Sequence, residues 1–356
     1  MIDQIFNKYK TKFSVLNSLN IVKPNVQKVA VYINIEMILK SVFTNRVNDY
    51  MMGTDDKNDV MFSIISSVLN LAQHYRWYFV KLGYDCEAFI YWNYPNGKYL
   101  NYVYNENYRS YFNNKIYHSN QCIFLNDCLK KSFPTIKMIA LRMNGVNIVT
   151  NEVIESSVIP YVIYNDYYHG DNSVQHIIVS NDKYDFQYVN KGFSIIVPRQ
   201  EDTIVVTSNN VIDVLKKSFS VKTENTMSPK QLTFALSIIG SKYRNLNKIA
   251  GVGLGHVIKL LNQAIDKMIL SENSNDVRTL CGLISPKYKE QFISNFSCID
   301  LDIQYNNLSP MIIHDILSCI HDKYDDNALD LINDRFFQNH PLMTFHNHKQ
   351  ELYSYY

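Results

Sequence analysis

Residues 28–33 read K-V-A-V-Y-I, an apolar, largely β-branched run with no polar alternation. A strand with one wet face alternates polar and apolar side chains. An unbroken apolar run fits a strand covered on both faces, as in a parallel sheet between helical layers. Residues 88–92 (A-F-I-Y-W) repeat the pattern. Between the two runs, Met61, Ile64, Ile65, Val68, Ala72 and Tyr75 recur at helical spacing and predict a helix over 59–79. Residues 121–142 predict another, broken or restarted at Pro134. Strands are expected at 176–179, 193–197 and 204–206, with a helix over 209–219. Strands separated by helix-length segments predict βαβ units, hence an α/β fold with a mainly parallel sheet covered by helices.

From about residue 227 strands become scarce, and helices are expected at 231–239, 255–270, 309–321 and 327–337. Ser309-Pro310 supplies a hydroxyl cap followed by proline in the first turn. We therefore divide the chain into an α/β core, 1–226, and a helical region, 227–356. The formal net charge of +2 excludes a uniformly basic nucleic-acid coat, and 46% hydrophobic with 19% charged residues exclude global disorder. The near-neutral total hides an asymmetry. Residues 215–259 carry eight bases (Lys216, Lys217, Lys222, Lys230, Lys242, Arg244, Lys248, Lys259) and one acid, Glu224. Residues 300–356 carry nine acids and three bases.

The 40 asparagines and 27 tyrosines against 8 alanines are what AT-rich codons encode, as in the genome of a virus or parasite. Six cysteines without a C-x-x-C pair read as reduced cytosolic thiols. No signal peptide or membrane-spanning segment is expected, and no phosphate-loop or dinucleotide motif occurs. The letters H-N-H at residues 346–348 are three tail residues, not a nuclease module. Tyr91, Tyr94, Tyr99, Tyr102, Tyr104, Tyr108 and Tyr111 form a belt beside Lys98 and Arg109. Such rings can stack on unpaired bases, or simply reflect codon bias and core packing.

The most informative segment is 248–261, K-I-A-G-V-G-L-G-H-V-I-K-L-L. Gly251, Gly253 and Gly255, at alternate positions before an apolar helix, make a turn whose amides can approach an anion at a helix N-terminus. A hairpin of this kind between two helices holds a DNA phosphate without reading sequence. A glycine-rich connection with no ligand is the alternative, and the surrounding bases favour DNA.

In this context the chain resembles the 5′-nuclease family, the flap endonucleases and 5′–3′ exonucleases built on a PIN-like core, with the hairpin as the family's helix-hairpin-helix. Residues 29–43 (VAVYINIEMILKSVF) resemble the first strand and following helix, and 88–93 (AFIYWN) the second strand. Tyr108-Arg109 stands at the tyrosine- and arginine-containing substrate segment. Residues 154–158 (IESSV) stand at the E-A-D-D motif, and 180–189 (SNDKYDFQYV) resemble the third strand's S-G-D-x-D-x-x-Q-L-V. Residues 240–253 (GSKYRNLNKIAGVG) resemble G-D-x-x-D-N-x-P-G-V-x-G. The pieces run in the family's order.

That resemblance implies two-metal phosphodiester hydrolysis, for which several carboxylates must surround two magnesium-type ions. Most of them are absent. Asn34 and Asn93 stand at the ends of the first two strands, Ser157 and Val158 in the E-A-D-D motif, Tyr184 in the third-strand motif, and Ser241 and Arg244 before the hairpin. Glu155 and Asp182 remain, a weak site for one metal at most. Asp182 could equally cap a turn, and Glu155 could be an exposed acid at a helix start. Glu36 and Asp185 are the neighbours that could compensate.

The resemblance implies a catalytically degenerate protein with no catalytic residues and no cofactor, Mg entering only with residual nuclease activity. DNA (junction, flap or single-stranded) would be held by Lys242, Arg244, Lys248, Gly251, Gly253, Gly255 and Arg109. A viral, phage-type source implies the host-cell cytoplasm or a virion, with the acidic C-terminal region free for a viral protein partner. Two alternatives stay open. One is an active Mg-dependent exonuclease or flap endonuclease with a rebuilt site around Asp182, Glu155, Glu36 and Asp185. The other is a structural or assembly subunit.

Overall fold

The computed structural model describes residues 21–23, 25–35, 57–92, 120–140, 143, 145–198, 203–219, 229–240, 246–250, 257 and 284–321. The described strands are β1 (Lys28–Asn34), β2 (Asp85–Tyr91), β3 (Val146–Val149), β4 (Val174–Val179), β5 (Ser194–Val197) and β6 (Ile204–Val206). They form one sheet in the order β3-β2-β1-β4-β5-β6. All neighbours are parallel except β5 and β6. The α/β fold with a mainly parallel sheet is thus the one the apolar runs predict.

The period-2 geometry of the strands sends alternate side chains to opposite faces. Val29, Val31, Ile33, Ala88, Ile90, Ile177 and Val179 share one apolar cluster with Ile64, Ile65 and Val68 of α1 (Lys57–Lys81) and Ile136 of α2 (Asn120–Ala140). Ala30, Tyr32, Phe89, Tyr91, Ile178 and Ile195 face the other cluster. Both faces of β1 are therefore dry, which is why its sequence shows no alternation. Each large apolar side chain so buried contributes about 1.5–3 kcal/mol. α1 closes on Gly83 at φ +90°, where the amides of Gly83 and Tyr84 donate to the carbonyls of Val80 and Phe79 at 2.9 and 3.1 Å.

The expected break at Pro134 does not occur: α2 runs through it. Pro134 is exposed, so the carbonyl deprived of its amide donor lies on the solvent side, while Ser132, Thr135 and Ile136 anchor the buried side. β3 is also an addition to the expected strands, so the motif expected at a third strand follows β4 instead. That motif leaves the sheet at Val179, and Lys183–Lys191 form a 3₁₀ helix.

The second face is covered by α3 (Ile159–Val162), which continues as a π-helical turn Ile163–Tyr167, and by α5 (Pro229–Ile239), preceded by α4 (Val211–Phe219). α6 (Lys289–Ile299), α7 (Leu301–Asn306) and α8 (Pro310–His321) complete it. Phe234 of α5 meets Phe292 of α6 edge-on at 5.4 Å. The apolar cluster runs continuously from residues before 227 to residues after it. α8 begins at the expected place, with the Ile312 amide donating to Ser309 Oγ at 3.4 Å. The helices expected at 255–270, apart from Val257, and at 327–337 lie outside the described residues. Among the described residues no helix is long and apolar enough to cross a membrane.

Candidate functional site

Open α/β sheets bind ligands beyond the carboxyl ends of their strands, at the point where strand order reverses. Here that point lies between β1 and β4. Ile33 pairs with Val179, so Asn34, the last residue of β1 and only 6% exposed, stands level with Ser180. Two residues on, Asp182 caps the 3₁₀ helix. Its backbone is extended (φ −79°, ψ 124°), its Oδ1 accepts the Tyr184 amide at 3.0 Å, and its own amide donates to Ser180 Oγ at 3.0 Å. Of the two roles open to Asp182 in the sequence, the structure shows the cap.

Tyr184 lies in the same apolar cluster as Val158 and Ile154. Two positions that would carry acids in a 5′-nuclease therefore contribute to the core. Glu155 precedes the 3₁₀ turn Ser156–Val158 and is 2% exposed, so the expectation of an exposed acid is corrected. The reason is that this turn is itself buried, with the fully buried Tyr188 hydroxyl donating to the Ser157 carbonyl. Asp185 is buried too, its amide donating to the Asp182 carbonyl at 3.2 Å. Among the described residues no three His, Cys, Asp or Glu side chains gather where a metal ion could sit. With Asp182 capping and Tyr184 and Val158 in the core, the described residues alone do not make a two-metal centre. Asn93, Ser241, Arg244 and Glu36 lie outside the described residues.

Of the DNA-binding candidates, Lys248 is described and exposed; Lys242, Arg244, Gly251, Gly253, Gly255 and Arg109 lie outside the described residues, as do the belt tyrosines other than the buried Tyr91. The backbone beside Lys248 is tightly held. The Ile249 amide donates to the Ile238 carbonyl at 3.0 Å. Asn295 of α6 donates from Nδ2 to the carbonyls of Ser237 and Asn247 at 2.8 and 2.9 Å. Gln291, one turn earlier, donates from Nε2 to the carbonyls of Asn247 and Lys248 at 2.8 and 3.3 Å. Gly240 closes this neck at φ +69°, where a Cβ would stand 2.4 Å from the Leu246 carbonyl oxygen.

A second buried amide ties the motif after β4 to the helices: Gln187 donates from Nε2 to the carbonyls of Tyr184 and Ile299 at 3.1 and 3.2 Å, and accepts the Thr233 hydroxyl at 2.8 Å. Gln187 is the glutamine of the motif read at 180–189, whereas sequence reasoning missed Gln291 and Asn295, because amides bonding to backbone far along the chain leave no local pattern.

The acidic region is less available than its composition implies. Asp300 is buried and caps α7, accepting the Ile303 amide at 2.9 Å; burial pushes its carboxyl up to about 6. Asp302 Oδ1 pairs with Lys191 Nζ at 2.5 Å and accepts the Tyr161 hydroxyl at 3.0 Å. Of the first two acids of this region, Asp300 is thus buried, while Asp302 is half-exposed and already paired. On β4, His176 stacks on Tyr32, meets Tyr164 and Tyr168 edge-on, and lies tilted against Phe193. Its Nδ1 is 2.9 Å from the Tyr32 hydroxyl, and burial drops the imidazole to about 4.

No protein-family model matches the chain, and no curated protein does. Among solved structures it is similar to a bacteriophage T5 flap endonuclease pseudo-enzyme–product complex with DNA and metal ions. The identity is 13% and the TM-score 0.49, over 83% of this chain and 100% of that one. It is also similar to zinc-bound T5 5′-exonuclease, at 11% identity and TM-score 0.45, over 87% of this chain and 98% of that one. TM-scores below 0.5 do not by themselves assign a family.

Proposed function

We propose that the chain is a catalytically degenerate relative of the 5′-nucleases that grips branched, flap or single-stranded junction DNA by its phosphates, in viral DNA metabolism. One observation carries the reading. At the crevice between β1 and β4, where a two-metal nuclease needs converging carboxylates, Val158 and Tyr184 are packed in the core and the Asp182 carboxylate is committed to a backbone amide. Lys242, Arg244, Lys248 and Arg109 would neutralise phosphates, with Gly251, Gly253 and Gly255 allowing close backbone approach. The division at residue 227 then separates a vestigial nuclease core, which contributes Arg109, from the region that carries the rest of the grip. The host-cell cytoplasm or a virion is the corresponding location, and the acids beyond Asp302 remain for a viral partner.

The test is a labelled junction oligonucleotide titrated at several salt concentrations. Phosphate neutralisation requires affinity to fall steeply with salt, and the Lys242→Ala/Lys248→Ala pair to weaken it. Salt-insensitive or absent binding overturns the reading. A rebuilt nuclease site is the second reading, favoured by the burial of Glu155 and Asp185 on this side of the sheet. It requires cleavage of a 5′-flap in Mg²⁺ that Asp182→Ala abolishes.

A further inference from the structure

Resting on the DNA reading above, we propose that Lys287 joins Lys248 in one phosphate-binding surface, spaced by the amides of Gln291 and Asn295. The two lysines are far apart in sequence, and composition points only to the bases before residue 260. The fold brings them to one place. Lys287 lies in the 3₁₀ turn Pro286–Tyr288 that leads into α6 and is exposed, as is Lys248. Gln291, in the first turn of α6, follows the 3₁₀ turn that carries Lys287 by three residues. Gln291 Nε2 bonds the carbonyls of Asn247 and Lys248, which places the start of α6, and the turn leading into it, beside the backbone that carries Lys248. Asn295, the next residue on the same face and fully buried, fixes Asn247 a second time.

The backbone that carries Lys248 is therefore fixed against the start of α6 by hydrogen bonds from Gln291 and Asn295. Lys287 Nζ lies 5.4 Å from the centroid of the Tyr288 ring, a cation–π contact that keeps the charge at the surface. Lys289 adds a third base to this turn against a single acid, Glu290. Ammonium groups on a rigid base act as point charges, and a chain of phosphates is the ligand that uses several at fixed spacing.

The experiment is anisotropy with a junction oligonucleotide over about 50–200 mM salt, comparing wild type with Lys287→Ala, Lys248→Ala, the double variant, Gln291→Ala and, as a remote control on α2, Lys131→Ala. Each lost phosphate contact lowers the slope of log affinity against log salt by about 0.7–0.9, and the double variant loses both. Gln291→Ala, which removes no charge, weakens binding at fixed salt. A Lys287→Ala slope equal to wild type, or a Lys131→Ala change as large, overturns the pairing while leaving the DNA reading intact. A wild-type protein that binds no junction DNA overturns both.

Discussion

Replacing Gly240 with alanine tests whether the neck beside Lys248 is as closed as its hydrogen bonds imply. Gly240 sits at φ +69°, a left-handed backbone that costs a non-glycine residue about 1–2 kcal/mol. The added Cβ would also stand 2.4 Å from the Leu246 oxygen, 2.7 Å from the Lys248 nitrogen and 2.8 Å from the Asn247 carbonyl carbon. All three are backbone atoms in a segment pinned by Gln291 and Asn295, so relief requires the neck to part. Overpacking of this kind costs about 1–3 kcal/mol, giving a sum of about 2–5 kcal/mol. That is a large fraction of the stability of a folded domain, about 5–15 kcal/mol. Gly83→Ala is the matched control, because Gly83 has φ +90° and nothing within 4 Å of its would-be Cβ. Urea unfolding followed by tryptophan fluorescence and circular dichroism gives both losses, and their difference isolates the steric part. A Gly240→Ala loss no larger than that of Gly83→Ala would refute the closed neck.

Three further outcomes follow from buried groups. Asp300 is an acid whose folded-state value is raised from 3.8 to about 6, so its contribution favours the fold below 3.8 and is lost as pH rises through 6. The displacement corresponds to about 3 kcal/mol. Asp300→Asn keeps a side-chain oxygen for the Ile303 amide, so it should raise the melting temperature at pH 7.5 and give no gain at pH 4; an equal shift at both would contradict the assignment. His176 is a base lowered from 6.5 to about 4, so its contribution is full above 6.5 and is lost as pH falls toward 4. His176→Gln should flatten stability across that window, and an unchanged acid limb would count against it. Tyr188→Phe removes the hydroxyl bonded to the buried Ser157 carbonyl and should cost about 1–2 kcal/mol in urea unfolding. No loss would mean that the turn carrying Glu155 is held by other contacts.

The sheet was legible because both faces of β1 and β2 are dry, and unbroken runs such as K-V-A-V-Y-I have few other uses. β3 escaped notice: V-N-I-V has a polar side chain in the middle of four residues, too short for periodicity to register. α6 and α7 were also not anticipated: α6 has a short buried stripe, Phe292, Phe296 and Ile299, interrupted by polar residues, and α7 is only six residues long. At the site, the motif read at 180–189 falls just after β4, where Asp182 caps the 3₁₀ helix and Tyr184 is buried. Burial of Glu155 could not be read, because it depends on Tyr188 reaching across to Ser157. The clamp made by Gln291 and Asn295 was invisible for the same reason: side-chain amides recognise backbone carbonyls without any signature in the chain they touch.

The central claim is that the crevice between β1 and β4 no longer supports metal-dependent cleavage while the basic surface still holds DNA. A 5′-flap oligonucleotide labelled at both ends, incubated with the protein in Mg²⁺ and in Mn²⁺ and assayed in parallel for binding and for product, tests both halves at once. A salt-sensitive complex whose DNA remains intact is the expected result. Cleavage in either metal that disappears with Asp182→Ala would contradict it.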